Sequence, residues 1–175
     1  MKNKYIVVLM LIYMAALSRL VPHPSNFAPI TGLAIFSGFQ FGKNWKAFLI
    51  PISAMLLSDL ILEYTTGWGF YDGMWLVYFS FMLITVFSFY TLKQNTVANI
   101  ALVAISSSIL FFVLTNFGVW FSGNIYPKTG AGLLACYTAG IPFFQNSLLG
   151  DLVYSFGLFS GLGLFTKKFP TFSKA

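Results

Sequence analysis

Charge is scarce in this chain. Only 8% of its 175 residues are Asp, Glu, Lys or Arg, against about 25% in an ordinary soluble domain. There is one cysteine, Cys136, and one histidine, His23. A single cysteine excludes an intramolecular disulfide and a multi-cysteine metal cluster. A single histidine excludes the paired histidines of a haem or zinc site. His23, between two prolines, reads as a turn residue, and Cys136 within "LLACYTAG" as a small packing residue, rather than as ligands of a soft metal. The chain has no Walker motif, no GxGxxG fingerprint and no nucleophile elbow or triad spacing. The expectation is therefore no metal, no cofactor and no enzymatic activity, and nothing in the chain to hydrolyse ATP.

What the chain does have is apolar residues, at 58% of the total, with 19% aromatics and a mean hydropathy of +0.80. Those values describe an integral membrane protein. A bilayer span needs roughly 20 apolar residues. Six stretches fit or approach it, at about 5–21, 28–41, 47–64, 74–92, 97–121 and 142–166. The expected fold is a single all-α transmembrane domain of six helices over 1–175. A shorter apolar run, 130–140, is expected as a re-entrant or interfacial segment. The N-terminus resembles a signal peptide, but more spans follow, so it reads as a retained first helix.

The net charge of +6 is not a nucleic-acid signal, because the basic residues are scattered and form no basic–aromatic patch. It serves to orient the bundle. With six spans, Lys2, Lys4, Lys43, Lys46, Lys93, Lys167, Lys168 and Lys174 fall on one side, which is eight of the ten basic residues. Arg19 and Lys128 fall on the other. The positive-inside rule makes the first side cytoplasmic and places both termini there. The loops on the outer side are long and rich in Gly and aromatics, as in "EYTTGWGFYDGMW" and "WFSGNIYPKTGAG", whereas the inner loops are minimal. Long loops gathered on one face carry function more often than tight turns do.

Polar residues inside spans are costly and mark function. Here they converge on one depth. Arg19 ends the first helix, Asn116 ends the fifth, and Asp59 and Asp151 lie in the outer halves of the third and sixth. Asn146 sits above Asp151, and His23 and Asn26 lie in the first outer loop. One reading is a solute pocket with Arg19, Asn26, Asp59, Asn116 and Asp151 as polar anchors and His23, Trp68, Trp120, Tyr126 and Asn146 as lid or wall groups. The other is structural, with Arg19 pairing with Asp59 or Asp151 to hold helices together. Two further patterns stand out. Small residues recur on the helices, as in Gly157-x-x-x-Gly161, and permit close helix packing or partner docking. "LLSDL" at 56–60 is echoed by "LLGDL" at 148–152, and "SNF" at 25–27 by "TNF" at 115–117.

"RLVPHPSNFAPITGLAIFSG", "AFLIPISAMLLSDLILEY" and "LTNFGVWFSGNIYPKTGAGLLACYTAGIPFFQNSLLGDLVYS" together resemble a family of small uncharacterised bacterial membrane proteins, over most of the chain. More distantly, the first half is similar to S components of energy-coupling factor (ECF) transporters. In those six-helix proteins a Pro/Asn-containing loop after the first helix precedes a short Gly-rich helix, as at 26–42 here. That resemblance implies a subunit of the bacterial inner membrane that captures a vitamin-like solute from outside. It also implies a separate energising module, docked through a small-residue motif that Met14-Ala15-Ala16-Leu17-Ser18 matches in part. The alternative is a non-transporting structural or accessory subunit of a larger membrane complex. An enzyme acting on lipid through the aspartates is the weakest of the readings, since no nucleophile or metal cluster accompanies them.

Overall fold

The computed structural model describes residues 2–170, with side chains from residue 4. Lys174, counted above among the inner lysines, and the side chain of Lys2 lie outside the described residues. The described chain is all α-helix, with no strand. The helices are α1 (Lys2–Leu17), α2 (Ile30–Phe41), α3 (Lys46–Thr66), α4 (Met74–Thr91), α5 (Val97–Ser122) and α6 (Gly130–Lys168), and a 3₁₀ turn over Ser18–Leu20 follows α1. Four of them, α3 to α6, are long and apolar enough to cross a membrane, and α1 and α2 are shorter. The chain is a multi-pass membrane protein.

The short α2 is the centre of the bundle. Every residue from Thr31 to Gly38 is buried, and α2 touches all five other helices. Lipid offers no hydrophobic drive between helices, so close backbone approach and interhelical hydrogen bonds must hold them. Gly32 supplies one approach: a Cβ there would lie 3.1 Å from the Ser155 nitrogen on α6. Gly38 supplies another, 2.6 Å from the Thr85 carbonyl of α4. Ser88 Oγ then donates to the Ile35 carbonyl at 2.7 Å. Pro51, inside α3, has no N–H to give the Ala47 carbonyl. Ser37 Oγ of α2 donates to that carbonyl at 2.8 Å, so a proline gap in one helix becomes a bond between two.

The lysine-bearing ends of the first helices lie together: Tyr5 stacks on Phe41, with ring centroids 5.4 Å apart, and Lys43 Nζ lies over the Tyr90 ring. The opposite end carries the loops 21–29, 67–73 and 123–129. Two threonine caps start the last hairpin: Thr96 Oγ1 accepts from the Asn99 amide and Thr129 Oγ1 from the Gly132 amide, each satisfying an amide that has no partner within its helix.

The stretch 130–140 is not a separate segment. It is the opening of α6, which runs unbroken through Pro142 to Lys168. At about 1.5 Å per residue, its 39 residues extend roughly 58 Å, about twice a hydrocarbon core of ~30 Å. Proline reads as a boundary in sequence, but a packed neighbour lets a membrane helix continue through it. Here α6 packs along α5. Tyr137 Oη donates to the Val113 carbonyl at 2.8 Å and Cys136 Sγ to the Asn116 carbonyl at 3.4 Å.

Candidate functional site

Two helical stripes face each other across the loop-bearing half of the bundle. On α5 they are Ser108, Phe111, Phe112, Thr115, Asn116 and Val119, and on α6 Gly140, Phe143, Phe144, Ser147 and Asp151. Steps of three, four and seven keep each set on one face of its helix. Between them lies a cavity of about 280 Å³, near the lower end for small-molecule pockets. The start of α2 (Ile30, Thr31), Val77 of α4, Asn26 and Ala28 of the first loop, and Tyr71 of the second complete it.

The cavity has a wet end and a buried end. Asn26 is exposed and Tyr71 is 50% exposed. Thr31, Ser108 and Asp151 are 2%, 1% and 3% exposed. Asp151 Oδ2 accepts from Ser108 Oγ at 2.6 Å, and Thr31 lies beside the same carboxyl. Ser108 Oγ also sits 2.9 Å from the Ala104 carbonyl, so its one proton faces two acceptors. No Lys, Arg or His is among the lining residues.

The loop 21–29 reaches this level because Gly150 of α6 lets it: a Cβ there would lie 3.2 Å from backbone atoms of Phe27 and Ala28. Pro24 to Phe27 form a tight turn closed by the Phe27 amide on the Pro24 carbonyl at 3.0 Å. Asn26 takes φ +63° in it, a conformation asparagine tolerates better than other side chains. Asn146 Nδ2 of α6 donates to the Ser25 carbonyl at 3.0 Å and pins the loop.

The ten residues singled out in the sequence therefore separate. Asn26, Asn116 and Asp151 line one cavity. Arg19 and Asp59 do not. They pair with each other at 2.5 Å, and Arg19 Nη1 also donates to Ser58 Oγ at 2.7 Å. The second Asp59 oxygen accepts from Tyr78 Oη at 2.5 Å. Ile30 and Val77, which line the cavity, also line a small void together with Met55 and Tyr78 of this cluster. Asn146 holds the loop rather than lining the cavity. His23 Nδ1 lies 2.7 Å from the Val21 carbonyl in an exposed turn. Trp68 is 82% exposed. Trp120 Nε1 donates to the Pro127 carbonyl at 2.9 Å, and Lys128 lies over its ring and against the Trp120 and Gly123 carbonyls. Trp120, near the end of α5, thus braces the 123–129 loop, Tyr126 lies in that loop, and neither lines the cavity.

Sequence reasoning missed Thr31, Ser108, Tyr71 and the four phenylalanines. The paired "FF" at 111–112 and 143–144 was a usable signal, since each pair sits one turn from a polar residue in a span. Tyr71 hydroxyl is held above its ordinary range, first by desolvation and then by the nearby Asp59 charge, with Arg19 opposing.

Fold and cavity together define a multi-pass helical membrane protein with a carboxyl at the buried end of a small aromatic-walled chamber. Residues 1–172 match the model of a family of unknown function, DUF6580, and the chain belongs to that family. No curated protein and no solved structure matches it.

Proposed function

We propose that this protein is a membrane-embedded solute-binding subunit of the S-component type, which takes a small vitamin-like molecule into the 280 Å³ cavity. That chamber, open among the loops and closed at Asp151, carries the reading. Its walls are apolar and aromatic with a few placed polar groups, the usual make-up of a small-molecule site. The loop descending beside α6 supports it too: non-helical backbone at membrane depth is tolerated where it lines a cavity. In this reading the loop-bearing end faces outside and the termini lie in the cytoplasm of a bacterial inner membrane, an orientation that the lysine distribution supports. The lining asparagines and Asp151 are the polar anchors, while Arg19 and Asp59 hold the frame. No ATPase or ion-coupling motif accompanies the cavity, so uptake requires a separate energising module.

Native mass spectrometry of the gently purified protein tests this. A bound small molecule is expected in wild type and is lost when Ser147→Phe fills the cavity. A stoichiometric large complex, with no small molecule in wild type, would instead make the protein an accessory subunit.

A further inference from the structure

Among the described residues the carboxyl of Asp151 has no counter-ion. It is 3% exposed, it lines the cavity, and no basic side chain lines the cavity with it. The one arginine nearby in depth, Arg19, already spends its guanidinium on Asp59 and Ser58. The other favourable groups are weak. Ser108 shares its single proton between Asp151 and the Ala104 carbonyl. Thr31, in the first turn of α2, brings that helix's positive end, which amounts to roughly half a charge, less than the ionised carboxyl needs. An unpaired carboxylate at this buried end is expensive, and a cation entering the chamber supplies the partner that the ionised form lacks.

The space beside the carboxyl is too large for a dehydrated inorganic cation alone and is walled by aromatic rings. Phe112 and Phe144 lie 4.9 Å apart, tilted, and Phe111 and Phe143 flank them in the lining. Aromatic faces attract a cation as well as an apolar body. Of the two lining amides, Asn26 lies at the exposed mouth and Asn116, deeper, uses its Nδ2 on the Phe112 carbonyl at 2.9 Å. Its Oδ1 is left as a second acceptor on the cavity. The buried end of the chamber thus presents the Asp151 and Asn116 oxygens and π-faces with no basic side chain in the lining, a pattern that selects for positive charge and against carboxylates and phosphates.

Resting on the solute-binding reading above, we infer that the solute is a cationic amine with an aromatic or apolar body, its ammonium on Asp151 and its body between the phenylalanines of α5 and α6. The probes are three molecules sharing an indole frame: tryptamine as the cation, tryptophol as its neutral counterpart and indole-3-acetate as the anion. Binding to the full-length protein in lipid nanodiscs is measured for each by calorimetry. Wild type is expected to bind tryptamine at least tenfold more tightly than tryptophol, and indole-3-acetate most weakly. Asp151→Asn is expected to remove the preference, bringing tryptamine down to about the tryptophol level. If that variant does not fold, the wild-type order decides alone. Tryptophol or indole-3-acetate binding as well as tryptamine would sink the amine assignment and leave the cavity as a solute site. Sodium displacing tryptamine without any amine preference would make it an inorganic-cation site. Failure of all three probes, with no small molecule retained in native mass spectra, would overturn both readings.

Discussion

Arg19 and Asp59, forty positions apart in the chain, meet at 2.5 Å, and both oxygens of Asp59 are occupied, one by Arg19 and the other by Tyr78. This cluster ties the end of α1 to α3 and α4. Its side chains are 13% and 3% exposed. Removing one partner of such a pair strands a buried charge, at a cost of about 3–5 kcal/mol, whereas replacing both with apolar groups is often neutral. Arg19→Met alone is therefore expected to lower thermal stability in detergent sharply, and Arg19→Met with Asp59→Leu to recover most of it. The double variant should still bind solute like wild type. Loss of binding in a stable double variant would put the pair back into the site.

The echo "LLSDL" and "LLGDL" shows where sequence reading stops. Each aspartate was legible as a buried group in the outer half of a helix, and both are buried, at 2% and 3% exposure. What the motif does not carry is rotational phase relative to the neighbours. Asp59 turns toward Arg19 and Tyr78, while Asp151 turns toward Ser108 and the cavity. The other echo was more telling: Asn26 of "SNF" and Asn116 of "TNF" both line that cavity. Ser108 was hidden because a membrane serine ordinarily bonds back to its own helix, and it does so here as well. The merging of 130–140 into α6 was hidden because Pro142 reads as a stop signal in sequence, whereas the helix runs through it.

The first loop is held by two separable features. Asn26 has φ +63°, where a β-branched residue is strained. Asn26→Val is expected to cost about 1–2 kcal/mol in thermal unfolding, and Asn26→Gly almost nothing. The glycine variant nonetheless removes an amide from the cavity and should weaken solute binding several-fold. Asn146→Ala removes the bond to the Ser25 carbonyl and should cost about 1 kcal/mol. Hydrogen exchange should then speed up across residues 23–28 and not in α6 itself. Unchanged exchange in that loop would contradict the pinning role.

Alkaline pH gives a test of Tyr71. Its hydroxyl is raised above the usual value of 10.0, by desolvation first and by the Asp59 charge second. The folded state then prefers the neutral phenol more than the unfolded chain does. That contribution is complete below about pH 10 and fades as pH climbs from there through the folded value. Tyr71→Phe should leave stability unchanged near neutrality and flatten part of the loss seen between about pH 9 and about pH 11. The readout is the difference in unfolding temperature between variant and wild type across that window; a constant difference would mean that Tyr71 titrates normally.

Gly140 sits where α6 passes Asn116. A Cβ at that position would lie 2.5 Å from Asn116 Oδ1 and 2.9 Å from Phe112 Cε2. Both atoms are side-chain ends, so the helix can keep its path if the two side chains swing away, and the space open to them is the cavity they line. Overpacking of this kind costs about 1–3 kcal/mol. Gly140→Ala is thus expected to fold with modestly reduced stability but to lose solute binding by tenfold or more. Gly69→Ala is the control: a Cβ there would meet backbone, the Asp59 carbonyl at 2.0 Å and the Glu63 amide at 2.4 Å, and would break the seat in which Glu63 Oε2 accepts the Gly69 and Phe70 amides. The two alanines should therefore differ in kind, one emptying the cavity of its solute in a folded protein and the other unfolding the loop. A Gly140→Ala protein that binds at wild-type strength would show that the α5–α6 chamber is not where the solute sits.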